Sequence, residues 1–235
     1  VQGVKNGIFE TFFSEKKLLA VLIDPDKFDE TCAGDFLRKI PQVTSHLLVG
    51  GSNVGNGKSE SCIKAIKAET SLPVILFPGD HSQITETADA LLFLSLLSGR
   101  NPEYLIGQHI KSIKKLRNSK LEIIPTGYIL IDGGNECAVE RVTGAKPLSQ
   151  EDPQLIVDTA LAGKFLGKKL IYLEAGSGAQ KPVDPKIILE VKEAVSLPLI
   201  VGGGIRSREQ LSEAYKAGAD MVVIGTAFEN GNFFI

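Results

Sequence analysis

The chain has 235 residues, 43% hydrophobic and 23% charged, with a formal net charge of −2. That length suits one α/β barrel, which typically takes about 250 residues, and it buries a large core without help. The near-neutral charge argues against nucleic acid or an anionic membrane surface as partner. Three scattered cysteines, Cys32, Cys62 and Cys137, form no CxxC pair, so a disulfide framework is not expected and a reducing cytoplasm is the expected setting.

Residues 1–17 mix charge with Phe9, Phe12 and Phe13 and lack the continuous apolar stretch of a signal peptide. No apolar run approaches the roughly 20 residues of a membrane span, so a lipid substrate is expected to be met from the water side. Strands are predicted at residues 19–23 and 46–49, bounded by Asp and Gly. A helical pattern over 60–70 places Cys62, Ile63 and Ile66 on one face. The third strand is 74–77. Only about ten residues, starting at His81, then precede the fourth strand at 90–94. That is too few for a full crossover helix, so the third helix is predicted to be short or replaced. Asn101 as N-cap and Pro102 at the first helical position open a helix over 102–116.

The fifth strand is 123–131, and residues 132–150 are long, Gly-containing and aperiodic, which reads as a lid or binding loop. Asp152-Pro153 opens a helix reaching 166. A strand at 170–173, a helix over 185–195, a strand at 199–201, a helix over 207–217 and a strand at 221–224 complete the order. The strands are rich in Val, Ile and Leu, as parallel strands covered on both faces should be. Strand alternating with helix predicts a single α/β domain over residues 1–235, a (βα)8 TIM barrel with a short or missing third helix. The chain stops at Phe233-Phe234-Ile235, before a full eighth helix, so a longer terminus is expected. Self-association into a homo-oligomer is expected as well.

The chemistry gathers where these strands end. Val201-Gly202-Gly203-Gly204-Ile205-Arg206-Ser207 follows the seventh strand, and Ile224-Gly225-Thr226-Ala227 follows the eighth. Glycines let a backbone approach a ligand closely, and barrels frequently hold phosphate between these two loops. The same glycines would also serve as tight turns. In Tyr172-Leu173-Glu174-Ala175-Gly176-Ser177-Gly178, alternation sends Tyr172 and Glu174 inward and Leu173 outward. A carboxylate at the mouth is costly unless partnered or used; its alternative is a structural pairing with Arg206 or a lysine. Leu22-Ile23-Asp24-Pro25-Asp26-Lys27 puts Asp24 at the mouth after the first strand. Across the barrel from a phosphate site, such a carboxylate suits Mg2+ with its waters and phosphate oxygens; a turn-capping Asp before Pro is the alternative. Ser52, in Gly50-Gly51-Ser52-Asn53, adds a hydroxyl beside it. The three histidines, His46, His81 and His109, lack metal-ligand spacing. No nucleophile elbow or dinucleotide fingerprint is present.

These pieces, with Val49-Gly50-Gly51-Ser52 and Phe77-Pro78-Gly79, make the sequence resemble the geranylgeranylglyceryl phosphate synthase family, which also includes heptaprenylglyceryl phosphate synthase. The resemblance runs through nearly the whole chain in order. It implies a prenyltransferase that joins sn-glycerol 1-phosphate to a long prenyl diphosphate, such as geranylgeranyl diphosphate, through an ether bond with Mg2+ present. It also implies phosphoglycerol contacts from Tyr172, Leu173, Glu174, Ala175, Gly176, Ser177, Gly178, Gly203, Gly204, Gly225 and Thr226, Mg2+ on Asp24 and Ser52, and Glu174 as base. One branch of the family carries Lys where this chain has Leu22. Leu22, Ser52 and residues 101–107 resemble the branch that lacks it. Phe93, Leu96, Leu97, Tyr128 and Leu130 are candidate lining for a prenyl chain. The competing reading is a sugar-phosphate or ribonucleotide isomerase on a phosphate-binding barrel, which would use paired Asp residues at strands one and five. Strand five here offers Thr126 and Tyr128, with Asp132 late. A non-catalytic phosphate sensor would not need both Glu174 and Asp24.

Overall fold

The structure, a computed structural model, describes residues 7–225. Eight parallel strands close into a barrel in chain order: β1 (Leu18–Ile23), β2 (His46–Val49), β3 (Val74–Leu76), β4 (Ala90–Leu96), β5 (Glu122–Leu130), β6 (Leu170–Glu174), β7 (Leu199–Gly202) and β8 (Met221–Ile224). The strands are apolar on both faces because both are covered. Ala20, Leu48, Ile75, Leu92, Tyr128, Tyr172, Ile200 and Met221 pack together inside the barrel. Their neighbours Val21, Leu47, Leu91, Ile129, Ile171, Leu173 and Val201 belong to the second core, between sheet and helices.

Helices α1 (Ile8–Ser14), α2 (Ala33–Lys39), α3 (Lys58–Glu69), α4 (Gln108–Leu116), α5 (Ala138–Thr143), α6 (Pro153–Phe165), α7 (Pro185–Val195) and α8 (Arg208–Lys216) accompany the strands. At α6 and α7 an Asp caps a helix that begins with Pro: Asp152 accepts from Leu155 N at 3.2 Å and Asp184 from Lys186 N at 2.8 Å. Such a cap is worth about 1 kcal/mol. Between β3 and β4 the crossover helix is replaced by one 3-10 turn, His81–Gln83, capped by Asp80. Among the described residues no helix is long and apolar enough to cross a membrane.

Three features differ from the sequence expectation. Helices α1 and α2, seven residues each, were not foreseen because such short segments carry little periodicity. α1 is anchored by tertiary contacts: Phe9 N donates to the Glu122 carboxylate at 3.0 Å, and Phe12 joins the interior core. The helix expected over 102–116 opens with a π-turn, Glu103–Gly107, before α4 begins. Finally, residues 132–150, expected to be aperiodic, include regular structure. They contain α5, and Leu148 is laid beside β5 by Leu148 N to Leu130 O and Asp132 N to Leu148 O, both 2.9 Å.

Candidate active site

A cavity of about 540 Å³ opens at the C-terminal mouth of the barrel. Parallel register explains which side chains meet there. Glu174 is the last residue of β6 and lies between Leu130 of β5 and Gly202 of β7. Tyr172, one step below on the same face, is fully buried beside Tyr128 and Phe77, with ring centroids 5.4 and 5.2 Å away.

Glu174 is not ion-paired to Arg206, whose guanidinium donates to the carbonyls of Ala179 at 2.6 Å and Gly178 at 3.4 Å. The carboxylate instead accepts from Gly176 N at 2.8 Å. Burial pushes its pKa up to about 7, against the opposing pull of the Tyr172 hydroxyl and the Gly176 N–H. The Tyr172 hydroxyl lies beside the carboxylate yet is buried without a hydrogen bond of good geometry. Burial, then the nearby Glu174 charge, hold its own pKa well above the usual tyrosine value, so it stays a neutral hydroxyl. Tyr172 lines neither of the two cavities of this region, so the structure places its hydroxyl beneath the Glu174 carboxylate rather than at the open space.

The glycines of the β7 loop fit tightly around this carboxylate. A Cβ on Gly202 would lie 2.6 Å from Tyr172 Oη and 2.7 Å from Glu174 Oε2; one on Gly203 would lie 2.6 Å from Oε1. Gly203 and Gly204 also adopt φ of 81° and 73°, which side chains disfavour. Gly176, Ser177, Gly178, Gly203, Gly204 and Gly225 all line the cavity, so the β6, β7 and β8 loops converge on one space. Leu173 and Ala175 do not line it: Leu173 faces the helices, and Ala175 is packed in the same outer core. Thr226 lies outside the described residues. Ser207 caps α8 by accepting from Gln210 N at 3.2 Å.

Asp24 and Ser52 line the same cavity from β1 and β2. Asp24 accepts from Asp26 N at 3.1 Å and faces the Lys27 ammonium at 3.2 Å. No group of three or more His, Cys, Asp or Glu that could hold a metal occurs among the described residues. One carboxylate and one hydroxyl beside open space suit a cation that brings waters and phosphate oxygens as its remaining ligands, as Mg2+ does. The histidines are engaged elsewhere: His46 with Ser45, His81 with Gln108, and His109 with the Leu94 carbonyl.

A second, apolar cavity of about 100 Å³ adjoins the first and shares Gly51, Ser52, Phe77, Tyr128 and Val139 with it. It occupies the flank left uncovered by the missing third helix, between the His81–Gln83 turn, β4 and the π-turn. Phe93, Leu96 and Tyr128 line it. Leu97 instead packs outside the barrel and Leu130 inside it. Sequence reasoning missed Tyr104, Val139 and Val142 as lining residues. The length of residues 132–150 flagged the segment without indicating which side chains turn inward.

The sequence profile of the PcrB family matches residues 12–233. The chain belongs to the PcrB family. A geranylgeranylglyceryl phosphate synthase of Zunongwangia profunda is 62% identical over 218 residues, covering 93% of each chain. One of Pyrococcus abyssi is 44% identical, covering 97% of this chain and 92% of its own. Among solved structures, (S)-3-O-geranylgeranylglyceryl phosphate synthase of Thermoplasma acidophilum in complex with its substrate sn-glycerol-1-phosphate superposes with a TM-score of 0.85. It is 35% identical and covers 95% of this PcrB-family chain and 92% of its own.

Proposed function

We propose that the protein is a prenyltransferase that joins sn-glycerol 1-phosphate to a long-chain prenyl diphosphate, of the geranylgeranyl class, forming an ether and releasing diphosphate. The observation that carries this reading is the placement of Glu174, with the buried Tyr172 hydroxyl beside it, among the glycine loops of a mouth cavity that adjoins an apolar one. The curated relatives share the activity by name.

Backbone N–H groups of Gly203, Gly204 and Gly225 hold the phosphate. That anchoring leaves the glycerol hydroxyl facing Glu174, with Tyr172 positioning it. A hydroxyl is too weak an acid to ionise beforehand. Its oxygen attacks C1 of the prenyl group as the bond from C1 to the diphosphate oxygen breaks, and Glu174 accepts the proton as the new C–O bond forms. Asp24 and Ser52 would hold Mg2+, which when bound would supply positive charge to the leaving diphosphate. The prenyl chain lies along Phe77, Phe93, Leu96 and Tyr128. This keeps hydrocarbon out of water and water away from the allylic carbon. Among the described residues lining the cavity, strand one contributes Asp24 and strand five Tyr128, not the second aspartate that an isomerase on this fold would use.

Incubation with labelled glycerol 1-phosphate and prenyl diphosphates of several lengths, followed by product analysis, tests the reaction. Ether product with the glycerol sn-3 oxygen alkylated is expected; its absence for every chain length would refute the reading. We also propose a homo-oligomer in the cytoplasm. Light scattering should give a mass above the 25.2 kDa of one chain.

A further inference from the structure

Two cationic side chains are among the described residues lining the mouth cavity, Arg206 and Lys27. Their situations differ. Arg206 is committed to the backbone of the β6 loop through the Ala179 and Gly178 carbonyls. Lys27 sits on a side chain: its ammonium is 3.2 Å from Asp24 Oδ2, on the carboxylate suited to a divalent cation. The turn after β1 makes this pairing. Lys27 N and Phe28 N both donate to the Asp24 carbonyl at 3.1 Å, and Asp26 N donates to Asp24 Oδ1 at 3.1 Å, so the chain folds back and returns Lys27 over Asp24.

We propose that Lys27 is a diphosphate-binding residue that exchanges partners. Without ligand its ammonium neutralises Asp24; when a prenyl diphosphate arrives with its cation at Asp24, the ammonium moves to a diphosphate oxygen. The inference rests on the proposed prenyl transfer. Three arguments support it. The first is charge. A phosphate monoester alone brings about −2, and a diphosphate ester adds more, into a cavity that already holds Asp24 and Glu174. One divalent cation and a backbone-bound Arg206 leave that charge undercompensated. The second is cost. The Lys27 side chain is 63% exposed, and ion pairs of such exposure are weak, so releasing Asp24 sacrifices little. The third is position. Lys27 follows β1 and lines the cavity with Asp24 and with Ser52 from the neighbouring β2, the two groups proposed to hold the cation, so its ammonium stands where the leaving group rather than the phosphoglycerol belongs. The ammonium contributes charge and transfers no proton in the reaction, so Lys27 positions and neutralises the leaving group.

The test uses inorganic diphosphate as probe, titrated calorimetrically with Mg2+ present into wild type, Lys27→Met and Lys27→Arg. Met keeps the stem and removes the charge. It should weaken diphosphate binding about ten- to hundredfold, the range for a charged hydrogen bond, and Arg should recover most of that. Glycerol 1-phosphate affinity and the melting temperature should not change. Without diphosphate, Mn2+ followed by electron paramagnetic resonance should bind Lys27→Met more tightly than wild type, because the competing ammonium is gone. Unchanged diphosphate affinity in Lys27→Met, or Mn2+ binding no tighter, would overturn the proposal. A wild type that binds diphosphate through Lys27 yet makes no ether from any prenyl diphosphate would refute the reaction and leave this site standing.

Discussion

Glu174 has to be charged to accept a proton, and its surroundings work against the charge. Burial raises its pKa from the usual 4.5 to about 7. Below pH 4.5 folded and unfolded chains both hold the proton and nothing is lost. As pH rises toward 7 the unfolded chain releases it while the folded chain keeps it, so stability falls. Above 7 the deficit is constant at about 3 kcal/mol, from 1.36 kcal/mol per pH decade. Glu174→Gln should therefore be more stable than wild type at pH 8 by up to that amount and equal to it at pH 4. Denaturant melts at the two pH values check this. Catalysis should move the other way, with kcat lower by about 10²–10⁴. In wild type kcat/KM should rise with pH through about 7 as Glu174 ionises, and Glu174→Gln should lose that limb. A limb that survives belongs to the substrate phosphate. Tyr172→Phe should raise KM more than it lowers kcat, because the hydroxyl serves the bound ground state and the transition state alike. Strand alternation alone puts Tyr172 and Glu174 on the inner face. What alternation cannot give is how they are satisfied: the Gly176 N–H on the carboxylate and the poor hydrogen-bond geometry left to the hydroxyl depend on loop geometry.

At the scale of elements, the informative feature is a helix that is not there. The short sequence gap after β3 already implies its loss, since about ten residues cannot make a crossover. Its consequence is legible only in three dimensions: the outer flank of β4 stays uncovered and becomes the apolar cavity. The π-turn completes that cavity. Asn101 and Pro102 mark a helix start correctly, but nothing in their chemistry specifies the wide turn that follows, and π-turns often accompany functional sites. Tyr104 on this turn donates through its hydroxyl to the Val142 carbonyl at 3.3 Å, joining the π-turn to α5 at the cavity wall. Tyr104→Ala should open this end and shift the preferred prenyl diphosphate toward longer chains, read as a change in the ratio of kcat/KM values across a length series. An unchanged ratio would place the chain terminus elsewhere. α1 and α2 mark the opposite limit of sequence reading, because seven residues fold as helix only when tertiary contacts hold them.

At the scale of the whole molecule, folding and chemistry draw on different resources. The barrel closes through eight strands with a core on each face. None of that burial needs a metal ion, and Asp24 and Ser52 lie at the rim. Chelation should therefore abolish turnover while leaving the melting temperature of the ligand-free protein unchanged. The coupling should appear only when the anionic ligand is present. A ligand held by the folded state alone stabilises it by about 2.7 kcal/mol at a hundred times its Kd. A chain of this size gains roughly 2–4 °C per kcal/mol. Mg2+ together with inorganic diphosphate should then raise the melting temperature by roughly 5–10 °C, and each alone by much less, because one carboxylate and one hydroxyl make an incomplete coordination sphere. Asp24→Asn keeps the shape of the rim and removes its charge. It should remove most of the joint shift and shallow the Mg2+ dependence of turnover, while the ligand-free melting temperature stays at the wild-type value. If Asp24→Asn shows the full joint shift, the cation is held by diphosphate alone, and Asp24 is left with the structural role of closing the turn after β1.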